Sequence, residues 1–269
     1  MSTLSTDAHE LVATLLCRPD ETVTISFYAV PQLAAELIGE VRIDWGDGRI
    51  NAVDCTISDS ALTEMVNNPG SAPKVTASHS YAAQGSQTIR IRTESGFLPV
   101  AQLPSQTVSI DSALPVLTRG ETDDKNRLRP DDTLPRLVPD DPQTGVCTLS
   151  HLCPELLGNN PQLAFFDEAF RHCAVTRLEP SFFSPCRKLK SLVRTFADSS
   201  LVSIPAGLLT QADAGTICEE TFARCRMLER IEHPFANKEL AVCMEGFLEG
   251  ASSSLFSWCE PSRREEMGW

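Results

Sequence analysis

Apolar and polar positions alternate over two early stretches. Residues 21–27 carry Val23, Ile25 and Phe27 at every second place, and residues 41–45 carry Val41, Ile43 and Trp45. Period two puts alternate side chains on opposite faces, so each stretch predicts a half-buried strand. Residues 88–93 and 107–110 repeat the pattern with polar residues interleaved. Short strands joined by turn-rich links such as Gly46-Asp47-Gly48 predict an antiparallel β-sandwich over residues 20–112. Ahead of it, the spacing over residues 5–17 predicts a short amphipathic helix that packs on the next domain. It is stopped by Pro19, giving an N-terminal helical arm over 1–19.

The pattern changes near the C-terminus. Phe170, Phe196, Phe222 and Phe247 stand 26, 26 and 25 residues apart. Pro154, Pro180 and Pro205 keep step at 26 and 25, each ahead of an apolar pair. Two ladders on one period predict a stacked array over 147–251, in which each unit buries its neighbour's apolar face. Each unit would hold a short strand, a turn and a return, helical over 167–173 and 216–225. A period in the twenties is that of a leucine-rich-repeat α/β solenoid. Residues 113–146 form a Pro/Asp-rich linker, semi-extended because each proline removes a donor and biases its predecessor. Its Leu114, Val116, Leu117, Leu134, Leu137 and Val138 are expected to cover an apolar edge. Beyond residue 251 the period breaks, and Leu255, Phe256 and Trp258 predict a C-terminal cap over 252–269. The expected fold class is multi-domain and mainly β, a sandwich followed by a solenoid.

Two resemblances bear on function. Asp44-Trp45-Gly46-Asp47-Gly48, then His79-Ser80-Tyr81, Gly85 and the strand over 88–93 resemble a PKD-type immunoglobulin-like domain. That likeness implies a spacer or adhesion module. Phe170-Arg-His-Cys173 and Phe222-Ala-Arg-Cys225-Arg-Met-Leu228-Glu-Arg-Ile231 resemble BspA-like leucine-rich repeats. This second likeness, to a family of surface-exposed and some phage-encoded proteins, implies binding to protein or host surfaces.

Charge narrows the partners. The chain has 36 acidic and 23 basic side chains, a net charge of −13, and no basic segment. Phosphate neutralisation dominates nucleic-acid affinity, so nucleic acid is not an expected partner. No apolar run is long enough for a membrane-spanning helix, and no basic segment precedes the apolar patch at 11–17 as in a secretory signal. The expected location is therefore a virion released by lysis, or a cell surface reached by another route.

Candidate chemistry is sparse. The ten cysteines show no Cys-x-x-Cys, and Cys173 and Cys225 sit in register, which predicts reduced, packed thiols. His9, His79, His151, His172 and His233 have no ligand spacing; Asp44, Asp47, Asp54 and Asp59 read as turn carboxylates rather than a calcium loop. No nucleophile, dinucleotide or metalloprotease phrase is present. Catalytic residues, metal and cofactor are thus each expected to be none. The expected binding site is the concave face of the repeat, with Arg177, Glu179, Lys190, Glu229 and Glu232 pointing outward between apolar positions. The expected function is non-enzymatic binding of protein, as a subunit of a large assembly such as a phage tail, or as a surface adhesin.

Overall fold

The structure, a computed structural model, describes residues 10–58, 73–235 and 244–251. His9, Asp59, Cys243, Cys259 and the expected cap with Leu255, Phe256 and Trp258 lie outside the described residues. The chain runs β1 (Glu10–Cys17), β2 (Thr22–Tyr28), α1 (Gln32–Ile38), β3 (Val41–Asp44) and β4 (Ile50–Val53). Then follow β5 (Lys74–Ser80), β6 (Gly85–Arg92), β7 (Phe97–Leu98), β8 (Val100–Gln102) and β9 (Thr107–Ile110). Four two-residue strands complete it: β10 (Val116–Leu117), β11 (His151–Leu152), β12 (Ser203–Ile204) and β13 (Arg230–Ile231).

The N-terminal half builds two main sheets, of six strands in the order β11-β9-β1-β6-β3-β4 and of three in the order β5-β2-β8. Apart from the parallel β11–β9 contact, their pairing is antiparallel. Alternate side chains, among them Val23, Ile25, Phe27, Val41, Ile43, Ile89 and Ile91, are buried in one cluster. The expected N-terminal helix is not formed over its described part. Residues 10–17 are strand β1, inserted between β6 and β9, with Leu11, Ala13, Leu15 and Cys17 buried. The intervening Val12, Thr14 and Leu16 leave the local pattern compatible with either structure. Backbone partners on both sides make the strand.

The α/β leucine-rich-repeat solenoid is not what forms over 147–251. Among the described residues α1 is the one helix, and the fold is β-rich with several small sheets. The expected return helices are runs of turns, and the backbone shows why. The N–H groups of Glu168, Phe170 and His172 donate to the carbonyls of Val193, Thr195 and Ala197 in the next unit, each at 2.9 Å. The N–H groups between them, of Ala169, Arg171 and Cys173, donate three residues back, at 3.0, 3.2 and 3.4 Å. An α-helix needs every N–H to reach four residues back; here alternate ones leave for the neighbouring unit. The alternation demands left-handed residues. Glu168 and His172 have φ of 56° and 60°, and the pair recurs at Arg194 and Asp198, Glu220 and Arg224, and Gly246 and Gly250.

The units nonetheless stack. Phe165, Ser191 and Ile217 join in successive parallel bridges, and β12 pairs with β13 in parallel. Inside, Phe170 lies on Phe196 (5.3 Å between centroids, 13° between planes) and Phe196 on Phe222 (5.6 Å, 4°). Phe247 meets Phe222 edge-on at 5.2 Å. Residues 113–146 are part of the same body. Leu114, Leu117, Leu134, Leu137 and Val138 are buried and Val116 half-buried. Thr133 bridges to Phe165 ahead of the first unit, and Leu103 N–H donates to the Leu137 carbonyl at 2.6 Å. Asn160, fully buried, accepts from Leu117 N–H at 2.9 Å and donates to the carbonyls of Leu114 and Pro115. One buried amide thus pairs with three backbone groups of the proline-rich segment.

Candidate functional site

The stack has two contrasting flanks. On the flank of left-handed turns, charges of opposite sign face each other from unit to unit. Arg194 lies 2.9 Å from Glu220 and 3.9 Å from Glu168. Arg224 lies 2.9 Å from Asp198 and 3.1 Å from Glu249. Glu220 is held below the usual carboxylate range by the hydrogen bond from Arg194, against a smaller burial effect. For Asp198 burial acts upward, but the Arg224 hydrogen bond and charge, with His172 and Arg171, bring it below its ordinary value. These charges are largely satisfied within the chain.

The other flank carries β12 and β13 and four of the five expected binding residues. Arg177, Glu179 and Glu229 are exposed, and their side chains have no hydrogen-bond or ionic partner among the described residues. Glu232 pairs with Arg230 and accepts from Ala206 N–H at 3.3 Å. Lys190 is not on this flank. It sits in the row of Phe165, Ser191 and Ile217, with its ammonium 5.1 Å from the Phe165 ring centroid. Lys190 thus belongs to a different hydrogen-bonded row from the other four. Sequence reasoning missed Met227, which is 58% exposed on the same flank. Its signal is a change of spacing. Val202 N–H reaches the Thr176 carbonyl, 26 residues back, but Glu229 N–H reaches Val202, 27 back. The longer unit leaves Met227 outside.

The groups with potential for chemistry are engaged elsewhere. His79, 7% exposed, stacks on Trp45 at 5.0 Å and contacts Asp47 at 2.9 Å. Tyr81 donates its hydroxyl to the Trp45 carbonyl at 2.8 Å. Asp44, Asp47 and Asp54 accept backbone N–H bonds from Gly46, Arg49 and Thr56, as turn carboxylates do. Among the described residues no group of three or more His, Cys, Asp or Glu is placed to hold a metal ion. A cleft of about 430 Å³ beside α1 is lined by Glu36, Glu40 and Asp54. There Glu36 accepts from Gln32, Glu40 from Arg42 and Asp54 from Thr56. Cys17, Cys55, Cys147, Cys153, Cys173, Cys186, Cys218 and Cys225 are free thiols. Burial pushes Cys17 and Cys225 up to about 11, and Cys55, Cys173 and Cys186 up to about 12. At neutral pH those five are protonated, and a thiol is a poor nucleophile.

Comparison with protein-family models, with curated proteins and with solved structures gives no match to this chain.

Proposed function

We propose that the chain is a non-enzymatic structural protein that binds other protein, as a subunit of a large assembly such as a phage tail or virion. The observation that carries this reading is the asymmetry of the stack. One flank spends its charges on itself. The other presents Arg177, Glu179 and Glu229, without hydrogen-bond or ionic partners among the described residues, on the same flank as the exposed Met227. Mixed charge around an apolar side chain suits a protein surface: the apolar anchor supplies affinity and the surrounding charges set rate and register. The free thiols, seven of the eight described ones buried, support folding in a reducing compartment before assembly, where disulfides are rare.

Sedimentation of a lysate of the native source tests it. The expected result is co-migration of the chain with a megadalton particle, and its release by Met227→Asp. Migration wholly as a free monomer would reject the assembly reading.

A further inference from the structure

We infer that the chain pairs with a second copy of itself through strand β5, joining two three-stranded sheets into one sheet of six strands. β5 ends the order β5-β2-β8. It pairs with β2 over seven residues without a register shift, from Thr22 opposite Ser80 to Tyr28 opposite Lys74. In the same register Ala29 N–H donates to the Pro73 carbonyl at 2.9 Å. Hydrogen-bonded pairs alternate along an antiparallel ladder, so Val75, Ala77 and His79 bond to β2. The N–H and C=O groups of Lys74, Thr76, Ser78 and Ser80 therefore point the other way, where no strand lies among the described residues.

An open edge is a template for another strand, and proteins guard edges by shortness, proline, charge or a bulge. The other ends of the two main sheets are guarded. β4 has four residues and β11 two; β8 has three and leads into Leu103, which bonds to Leu137. β5 has seven residues, no proline, no bulge and a single charge, Lys74, at its first position. Its inner side chains are also short of cover. Val75 and Ala77 are half-buried, whereas Val23, Ile25 and Phe27 beside them on β2 are fully buried. A further strand would complete that cover.

The edge fits its own copy. Turned antiparallel about a two-fold axis at Ala77, each Lys74 faces Ser80 of the second copy and each Thr76 faces Ser78. All four outward residues of each strand then exchange backbone bonds. The two Lys74 ammonium groups stand at opposite ends of the joint. Each is directed to the end of the strand where the exposed Asp20 donates its N–H to the Tyr81 carbonyl. The hydroxyls of Thr76 and Ser78 meet across the joint as Thr22 meets Ser80 and Thr24 meets Ser78 within the chain, at 2.8 and 2.9 Å. The small Ala77 lies on the axis, in a non-hydrogen-bonded pair, where strands approach closest. Each copy offers one such edge, so the pairing closes at two. The net charge of −13 opposes self-association at low salt, and is screened beyond about 8 Å at physiological ionic strength.

Sedimentation equilibrium of the purified full chain at physiological salt, across the micromolar range, tests the pairing. The apparent mass should rise with concentration from one chain toward two. Thr76→Pro removes an outward N–H that β2 does not use, so this variant should keep its circular dichroism and stay a monomer. Ser78→Lys leaves the backbone intact and should also return the mass toward one chain, which keeps the test usable if the proline variant fails to fold. A wild type that is monomeric at every concentration, or a dimer that survives both substitutions, would overturn the pairing.

Discussion

Phe196 shows what a single residue contributes here. It is fully buried, with Phe170 on one side and Phe222 on the other. Close-packed interiors collapse only partly around a deletion. Phe196→Ala is expected to destabilise the chain by ~3–5 kcal/mol, measured by urea unfolding; a loss below 1 kcal/mol would mean the ring is not a core residue. Gly46 makes the complementary case. Its φ is 82°, and a Cβ there would stand 2.5 Å from the Thr88 carbonyl oxygen. Gly46→Ala should cost about 1–3 kcal/mol, read as a lowered Tm. The thiols give a third prediction. In the native protein at pH 8 the buried cysteines should react slowly with a disulfide reagent. In denaturant without reductant, at least the eight described thiols should react at once. Fewer than five reacting would show that the chain is disulfide-bonded.

At the scale of the element, the turn run over 167–173 and its repeats replace a helix with a lattice. Each unit closes half of its bonds locally and gives half to its neighbour, so no unit is complete alone. The charged flank follows from the same geometry. Left-handed residues 26 apart place their side chains in columns, where Glu168, Arg194 and Glu220 alternate in sign. Glu220 has its folded-state value depressed below 4.5. A depressed carboxylate adds stability above its unfolded value, and that stability is lost as pH falls through the folded one. Glu220→Gln should therefore cost about 1 kcal/mol at pH 7, and the gap from wild type should close below about pH 4.5. A gap that persists undiminished at pH 3 would rule out the ionic origin.

For the whole molecule, the decisive feature is continuity. The buried cluster runs from Leu11 to Leu248, β11 of the repeat half pairs with β9 of the other, and residues 113–146 are packed between them. A chain of this kind should unfold as one unit, with a single calorimetric transition whose enthalpy matches the van't Hoff value. Two resolved transitions would show that the halves are independent domains.

The strands at 22–28, 41–44 and 107–110 and the Phe ladder could be read from the sequence, because period two and period 26 are carried by the residues themselves. So could the turn at Gly46-Asp47-Gly48 and the apolar side of residues 113–146. Hydrogen-bond partners were not legible, since they lie a unit or a sheet away. Residues 10–17 fit a helix until β6 and β9 claim both their edges. Residues 167–173 look helical until every second N–H finds a carbonyl 25 residues on. Lys190 was grouped with Arg177 by spacing alone, and the two lie in different hydrogen-bonded rows. His172 has no carboxylate at ligand spacing; its two partners, 32 residues before it and 26 after, meet it only because the layers stack. Side-chain pattern is a local property and fixed which face is buried. The choice between helix and turn, and the meeting of distant charges, rests on backbone groups that only the tertiary structure brings together.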